Sequence, residues 1–191
     1  MTGGVRLRAG GRDLADEAFD AVCALHDEVF AEPPFAWGPD TAAGNVADLE
    51  RLRGDPTFRL LLAEDAGRPV GYAYGHRLPV DHGWWGDFPE PLPPDLTAEW
   101  EGRTFALVSL ALRAPWRGRG TGARIVRGLL AGRDEERAVL SVQPAATATQ
   151  AFYRHLGWRP VGRKGPLAGV TPPYWDIYLL SPLPGRDAAH G

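Results

Sequence analysis

The sequence predicts an α/β (α+β) fold in which helices pack on a mixed β-sheet. Two periodicities support this prediction: apolar residues alternate at every second position in some segments, as in strands, and recur every three or four positions in others, as in helices. Both kinds of segment occur along a chain of 191 residues, of which 44% are hydrophobic. Such a chain can bury one core. Because no repeat or linker divides it, we expect one domain over residues 1–181 and a flexible tail over residues 182–191.

The first half of the chain predicts a strand, two helices and a β-hairpin. Asp13 comes just before the first apolar-periodic residue, so we expect it to cap the first helix. The two prolines after Glu32 end that helix, because proline lacks a backbone N–H. In order, the elements are a strand at 5–8, a helix at 13–29, a weaker helix from about 41 to 52, and strands at 58–62 and 70–74 around a turn at 67–69.

The second half begins with residues 80–103, which lack periodicity and are rich in proline, tryptophan and acidic residues, so we expect an ordered loop there. Gly157 can adopt the left-handed conformation that ends a helix. In order, the elements are a buried strand at 105–112, a glycine-rich turn at 116–122, a helix ending at Gly132, a strand at 138–143, a helix at 147–156, and closing strands at 158–162 and 175–180. We therefore expect about four helices on the sheet.

Composition argues against several classes of function. Lys and Arg total 21 against 24 Asp and Glu, so no excess of positive charge favours binding to nucleic acid or to an anionic membrane. The single cysteine, Cys23, excludes a disulfide framework, and the five histidines lack the spacing of metal ligands. The longest apolar stretch, at 105–112, is too short to span a bilayer, and we find no signal peptide. We expect a cytoplasmic monomer or homodimer without a metal ion.

The segment Arg113–Gly122 is the part of the sequence that is most informative about function. It lies between a buried strand and the start of a helix, and its three glycines free the backbone to wrap around a ligand. Successive N–H groups at a helix N-terminus bind anions, and arginines add donors suited to phosphate oxygens. The pattern predicts a diphosphate ligand, and the arginines concerned are Arg117 and Arg119.

Three classes of phosphate-binding motif could account for this segment. A turn that binds no ligand is a fourth interpretation. A P-loop is excluded because it needs a lysine after its last glycine, and Lys164 is the only lysine. A dinucleotide fingerprint fits formally from Gly118 to Ala123, but Gln143 ends the next strand, where the ribose-binding acid should lie. A glycine turn with two solvated arginines is the alternative that involves no ligand.

The third class of phosphate-binding motif is indicated by a resemblance to a known family. The run Arg117-x-x-Gly120-x-Gly122, followed by helix, strand and then Ala151-Phe152-Tyr153-x-x-Leu156-Gly157-Trp158, resembles the GNAT superfamily of acyl-CoA N-acyltransferases. The resemblance covers nearly the whole chain in the order of its elements. It implies a mostly antiparallel sheet splayed between strands 4 and 5, with acetyl-CoA as cosubstrate and direct transfer to an amine in a ternary complex.

The resemblance also assigns residues to roles. The backbone of Leu110 and Leu112 is expected to pair with the pantetheine arm, and a bulge in that strand opens space for the thioester. An N–H near Leu110 is expected to face the thioester oxygen as it gains charge. Tyr153 matches the acid that protonates the leaving thiolate. The diphosphate of CoA is expected to bind the backbone N–H groups of six consecutive residues: Arg117, Gly118, Arg119, Gly120, Thr121 and Gly122.

The sequence departs from the family pattern at two positions. Many members carry Glu where Ser109 stands, as the general base, and Asn where Ala146 stands, as a pantetheine contact. Serine is a poor base, so the base lies elsewhere, is a chain of water molecules, or is absent. Glu99 and Glu101 are our candidates, acting through water.

The acceptor prediction comes from residues 80–103, which hold six acidic side chains and one arginine. Carboxylates and indole faces favour a small cationic amine, and the walls we expect are Trp84, Trp85 and Trp37. Alternatively, the acids only solvate a loop that the aromatics hold down. The sequence thus predicts an N-acetyltransferase, and the alternative function is a catalytically weak acyl-CoA-binding sensor or interaction module.

Overall fold

The computed structural model describes residues 4–184, and the remainder of the predicted tail, from position 185, lies outside the described residues. The described chain forms two compact units: residues 4–76 with 107–132, and residues 77–106 with 133–184. The strands are β1 (Arg6–Gly10), β2 (Arg59–Asp65), β3 (Arg68–Arg77), β4 (Thr104–Leu112), β5 (Arg137–Val142), β6 (Arg159–Lys164) and β7 (Trp175–Leu180). The helices are α1 (Arg12–Phe30), α2 (Pro39–Leu52), α3 (Pro94–Thr97), α4 (Thr121–Leu130) and α5 (Thr147–His155).

The first unit places helices on both faces of its strands. Leu60 and Leu62 of β2 share a core with Leu25 of α1 and Leu49 of α2. On the other face, Leu61 lies against Gly128 of α4. Because both faces are covered, β2 is an almost continuous apolar run rather than an alternating one.

Gly71 of β3 gives a stability prediction for this unit. A Cβ built there lies 2.7 Å from Leu112 Cδ1, 3.0 Å from Ala111 O and 3.1 Å from Ile125 Cδ1. Because the carbonyl is backbone, Gly71→Ala forces a local shift, and we expect a loss of about 1–3 kcal/mol in urea unfolding. The control is Gly44→Ala in α2, where no atom lies within 4 Å. That variant should be unchanged or about 1 kcal/mol more stable. Equal stabilities of the two variants would contradict the close packing at Gly71.

The second unit is built around β5, β7 and β6, which pair antiparallel. Thr104–Ala106 of β4 run parallel to Arg137–Val139 of β5. A buried cluster of Leu78, Ala106, Val139 and Leu179 packs with Trp84, Trp85, Leu96 and Val161, so the segment between β3 and β4 covers one face of these strands.

Across the chain, neighbouring strands pair in the order β1-β2-β3-β4-β5-β7-β6. The β4–β5 pair is parallel, and the other pairs with a defined register are antiparallel. The parallel ladder covers only three residue pairs. The predicted mixed, mostly antiparallel sheet is therefore confirmed.

Strand β4 contains one more residue than β3 between two backbone hydrogen bonds. The Arg113 N–H donates to Val70 O at 2.9 Å, and the Leu78 N–H donates to Thr104 O at 2.8 Å. In a regular antiparallel ladder, the same number of residues separates two bonds on both strands. Here Thr104 and Arg113 are nine positions apart, whereas Val70 and Leu78 are eight apart. The difference indicates a β-bulge in β4, as the resemblance implied.

Several local predictions need correction. Asp13 does not cap α1, because the helix already begins at Arg12 with Gly11 at the N-cap and no side-chain cap. Gly122 lies inside α4 rather than in the turn. The loop predicted at 80–103 contains the short helix α3, whose first residue is a proline, a residue suited to that position. The start of the predicted tail packs against the second unit: Leu183 is buried, and its N–H donates to Glu136 O.

None of the helices among residues 4–184 is both long enough and apolar enough to cross a bilayer.

Candidate active site

The turn before α4 presents backbone donors. Gly118 and Gly120 have φ values of 70° and 79°, a left-handed conformation that side chains rarely adopt. Gly120 is the N-cap of α4, and no side chain caps the helix. The first intrahelical bond runs from the Arg124 N–H to Gly120 O, so the N–H groups of residues 121–123 have no partner within the helix. These amides and the helix dipole favour an anion.

The two arginines of the turn differ in their contacts. Arg117 Nε donates to Leu112 O at 2.7 Å, and its Nη1 lies 3.3 Å from Glu32 Oε2. Arg119 is exposed and makes no hydrogen bond or ion pair with the described residues. Arg119 is therefore the guanidinium that is available to a phosphate. The sequence could not distinguish the two, because Glu32 is 85 positions from Arg117.

The edge of β4 opposite β3 carries the backbone groups predicted to pair with pantetheine. Because the Arg113 N–H bonds to β3, strand alternation directs the backbone groups of Leu110 and Leu112 to the opposite edge. The Leu112 carbonyl accepts from Arg117 there. The N–H of Leu112 and the backbone of Leu110 are the groups that remain for a ligand.

Ser109 belongs to a cluster of hydroxyl groups. Its Oγ lies 2.9 Å from the Tyr72 hydroxyl, and the Tyr74 hydroxyl donates to Asn45 Oδ1 at 3.1 Å. Burial raises the pKa of both tyrosines, so the phenols stay protonated at neutral pH. This cluster can donate and accept hydrogen bonds, but it supplies no carboxylate base.

Trp37 lies in the loop between α1 and α2. Its ring stacks on Phe30 at 4.6 Å between centroids and also packs against Phe35 and His26. These contacts fix the loop against α1. The predicted acceptor role of Trp37 stays a prediction.

Tyr153 of α5 is buried, and its ring packs edge-on against Trp158 at 5.7 Å. The hydroxyl makes no hydrogen bond with the described residues, and burial raises the pKa of the phenol. The side chain therefore holds a proton that no neighbour in the described chain accepts. That state suits a hydrogen-bond donor to a ligand.

Glu99 is part of a buried ion pair. Its Oε1 accepts bonds from Arg137 Nη2 at 2.7 Å, Trp85 Nε1 at 2.8 Å and Thr104 Oγ1 at 2.9 Å. Arg137 also donates to Leu96 O at 2.7 Å. These contacts give Glu99 a structural role that the sequence did not reveal. A carboxylate that already accepts these hydrogen bonds is a weaker candidate for the general base than a carboxylate without partners. Glu101 differs, because 79% of its side chain is exposed and its ion pair with Arg77 spans 3.4 Å.

A cavity of about 230 Å³ lies in the second unit beside Trp84, Trp85 and Glu99. Cations already lie near both indole rings: Arg137 Cζ is 5.0 Å from the Trp85 ring centroid, and Lys164 Nζ is 5.8 Å from that of Trp84. Burial lowers the pKa of Lys164, and its Nζ donates to Trp84 O at 2.7 Å. A ligand cation at these rings would meet like charge, which weakens the cation–π argument made from the sequence. Arg137 and Lys164 are the residues that sequence reasoning missed here.

The described residues contain no group of three or more His, Cys, Asp or Glu side chains that could hold a metal ion.

The sequence also matches a known family over most of its length. The pattern of the Acetyltransferase (GNAT) family matches residues 22–158. The chain belongs to this family. GNAT members are acyl-CoA-dependent N-acyltransferases, so the enzyme class predicted from the glycine turn and the Tyr153 motif is confirmed. No curated protein sequence matches the chain significantly.

Solved structures share the fold of this GNAT-family chain. Ribosomal-protein-alanine N-acetyltransferase from Brucella melitensis is 18% identical, with a TM-score of 0.63 over 92% of this chain and 99% of that one. Aminoglycoside 6′-acetyltransferase type Ii is 16% identical, with a TM-score of 0.64 over 94% and 98%. Arabidopsis thaliana Naa50, in complex with the bisubstrate analogue CoA-Ac-MVNAL, is 16% identical, with a TM-score of 0.57 over 92% and 98%. At these identities the likeness shows the fold.

Proposed function

We propose that this GNAT-family protein moves an acetyl group from acetyl-CoA to the primary amine of a small acceptor, by direct transfer in a ternary complex. The observation that carries the proposal is the turn before α4, with its two left-handed glycines, uncapped helix N-terminus and available Arg119. We further propose that residues 1–181 act as one domain, since β4 contributes residues to both compact units.

The turn fits the diphosphate of CoA in charge and in hydrogen bonding. The predicted range of amides, residues 117–122, moves by one position, because the Arg117 N–H already donates to Ala114 O at 3.1 Å. The amides of residues 118–123 and the guanidinium of Arg119 would hold the phosphates. The Leu112 N–H and the Leu110 backbone would bond to the pantetheine amides as an added strand does. Acetyl-CoA supplies the acetyl group as a reactive thioester.

For the chemical step, we propose that an N–H near Leu110 stabilises the charge that develops on the thioester oxygen, and that Tyr153 protonates the departing thiolate. Support for Tyr153 comes from its position in the family motif and from its protonated hydroxyl, which has no partner in the described chain. The hydroxyl cluster at Ser109 would orient the acceptor amine without removing its proton.

The amine must lose a proton before it attacks. Of the two carboxylates predicted as the base, we propose Glu101, acting through water, because its side chain is open to solvent. Glu99 is already hydrogen-bonded to Arg137, Trp85 and Thr104.

We still propose a small cationic amine as the acceptor. The support comes from acidic side chains and no longer from the indole faces. Among residues 80–103, Asp81, Asp87, Glu90 and Glu101 have exposed side chains, and their charge attracts cations. One of the solved structures is of an aminoglycoside 6′-acetyltransferase, whose name specifies a small-molecule acceptor.

Replacing Arg119 tests the CoA turn. We expect Arg119→Met to weaken CoA binding about tenfold, because a charge-assisted hydrogen bond contributes about 1.5–3 kcal/mol and exposure reduces this. Calorimetric titration with CoA measures the affinity. The matched control is Arg127→Met, since Arg127 is exposed on α4, the helix that follows the turn, and makes no ion pair with the described residues. The same loss of affinity in both variants would point to a general charge effect and contradict a specific contact at Arg119.

An activity assay tests the proposed transfer itself. Acetyl-CoA is incubated with the protein and with polyamines, aminoglycosides, amino acids or peptides, and thioester loss is followed. We expect turnover with at least one small amine. CoA binding without turnover on any amine would instead favour the acyl-CoA-binding sensor that the absence of a carboxylate at Ser109 first suggested.

A further inference from the structure

Glu32 binds the guanidinium of Arg117, the residue that begins the CoA turn. Arg117 Nη1 lies 3.3 Å from Glu32 Oε2, and the side chains are 44% exposed for Arg117 and 52% exposed for Glu32. The bond from Arg117 Nε to Leu112 O keeps the arginine beside the turn. A carboxylate therefore neutralises an arginine that adjoins the amides proposed to bind a diphosphate.

We propose that the diphosphate of CoA replaces the Glu32 carboxylate on Arg117, so that Glu32 competes with the cofactor. This inference rests on the proposed binding of CoA at the turn. An exposed ion pair is weak, because water and salt screen it. A diphosphate binds more strongly, since it accepts charge-assisted bonds from the guanidinium and from the backbone amides together. The carboxylate, carrying the same sign of charge, is repelled once the diphosphate is in place.

The exchange links the turn to the loop between α1 and α2. Glu32 begins that loop, and its carbonyl accepts the N–H groups of Phe35 and Ala36 at 3.1 Å each. The loop also carries Trp37, which stacks on Phe30. Loss of the ion pair between Glu32 and Arg117 removes a side-chain contact between the turn and this loop. The backbone hydrogen bonds of the loop stay intact.

A second ion pair, four positions earlier in the chain on both sides, provides a matched control. Arg113 makes bonds of 2.8–3.0 Å to Glu28, and its Nη1 donates to Pro69 O at 2.9 Å. Glu28 has the same charge as Glu32 and is also about half exposed, at 52%. Its partner Arg113, however, lies five positions before the first amide proposed to bind the diphosphate. Removing the charge of Glu28 should leave the phosphate-binding groups unchanged.

The experiment compares the wild-type protein, Glu32→Gln and Glu28→Gln by calorimetric titration with CoA and with pantetheine, which lacks the diphosphate. We expect Glu32→Gln to bind CoA about two- to fivefold more tightly than the wild type, as for the loss of one exposed charge pair. Glu28→Gln should match the wild type, and all three proteins should bind pantetheine equally.

Equal or weaker CoA binding by Glu32→Gln would overturn the exchange, and so would a gain in affinity that pantetheine shares. If none of the three proteins binds CoA, the proposed function fails and not the exchange alone. Thermal unfolding of each variant, measured beside the titrations, shows that the compared proteins are folded.

Discussion

Tyr153→Phe should lower kcat by about a hundredfold or more while leaving the Kd for CoA unchanged. A positioned general acid contributes roughly 10²–10⁴ to a rate, and phenylalanine keeps the ring but loses the proton. The Tyr153 hydroxyl makes no hydrogen bond with the described residues, so its removal leaves no protein group without a partner. The thermal midpoint should therefore stay constant. Steady-state kinetics and calorimetric titration with CoA measure the two quantities.

Tyr178→Phe is the matched control for this prediction. Tyr178 is also a buried tyrosine of the second unit, but its hydroxyl donates to Gln150 Oε1 at 3.0 Å. We expect this variant to lose about 1 kcal/mol of stability and to keep its kcat. A Tyr153→Phe variant with wild-type kcat would assign the phenol to the core and remove the acid from the mechanism.

Glu99→Gln should destabilise the fold by about 3–5 kcal/mol, the cost of leaving a buried charge without its partner. Arg137 and Glu99 are each less than 10% exposed, at 4% and 6% for the side chains. Arg137 also donates to Thr104 Oγ1 at 2.8 Å, so the pair fixes the segment between β3 and β4 to the first residue of β4. Urea unfolding monitored by circular dichroism measures the free energy.

Two further variants decide whether this effect belongs to the pair. The double variant Glu99→Gln with Arg137→Met should lose less stability than the two single losses combined, because neither charge is then left alone. Glu101→Gln should change the free energy by no more than about 1 kcal/mol, since its ion pair with Arg77 is exposed. A stable Glu99→Gln protein with greatly reduced kcat would contradict the structural role and return Glu99 to the chemistry.

The glycine turn before α4 could be predicted from the sequence because its conformation depends on residues close together in the chain. Gly118 and Gly120 are required for the left-handed backbone, and α4 follows at once. The same holds for the helix that carries Tyr153, since Gly157 adopts a positive φ where that helix ends. Several errors lie at element ends, such as the cap of α1, where neighbouring glycines let the helix begin earlier. One element, the short helix α3, was predicted to be loop.

Side-chain partners across long separations were not accessible. Arg117 and Arg119 are alike in sequence, and only the fold brings Glu32 to one of them. Glu99 looked like a candidate base because it is acidic and lies among aromatics. The structure instead places Arg137 against it, from the first residue of β5, one position before the strand predicted at 138–143. The same arginine also lies over Trp85, where a cationic acceptor was expected.

The amino-acid sequence by itself determined the order of the strands and of the four longer helices, the glycine turn before α4 and the enzyme class, because each depends on backbone conformation and spacing within a short segment. Only the tertiary structure decided which charged groups are neutralised and which remain available. Charges act through space over a few ångströms, and pairs such as Glu28 with Arg113 are 85 positions apart in the chain.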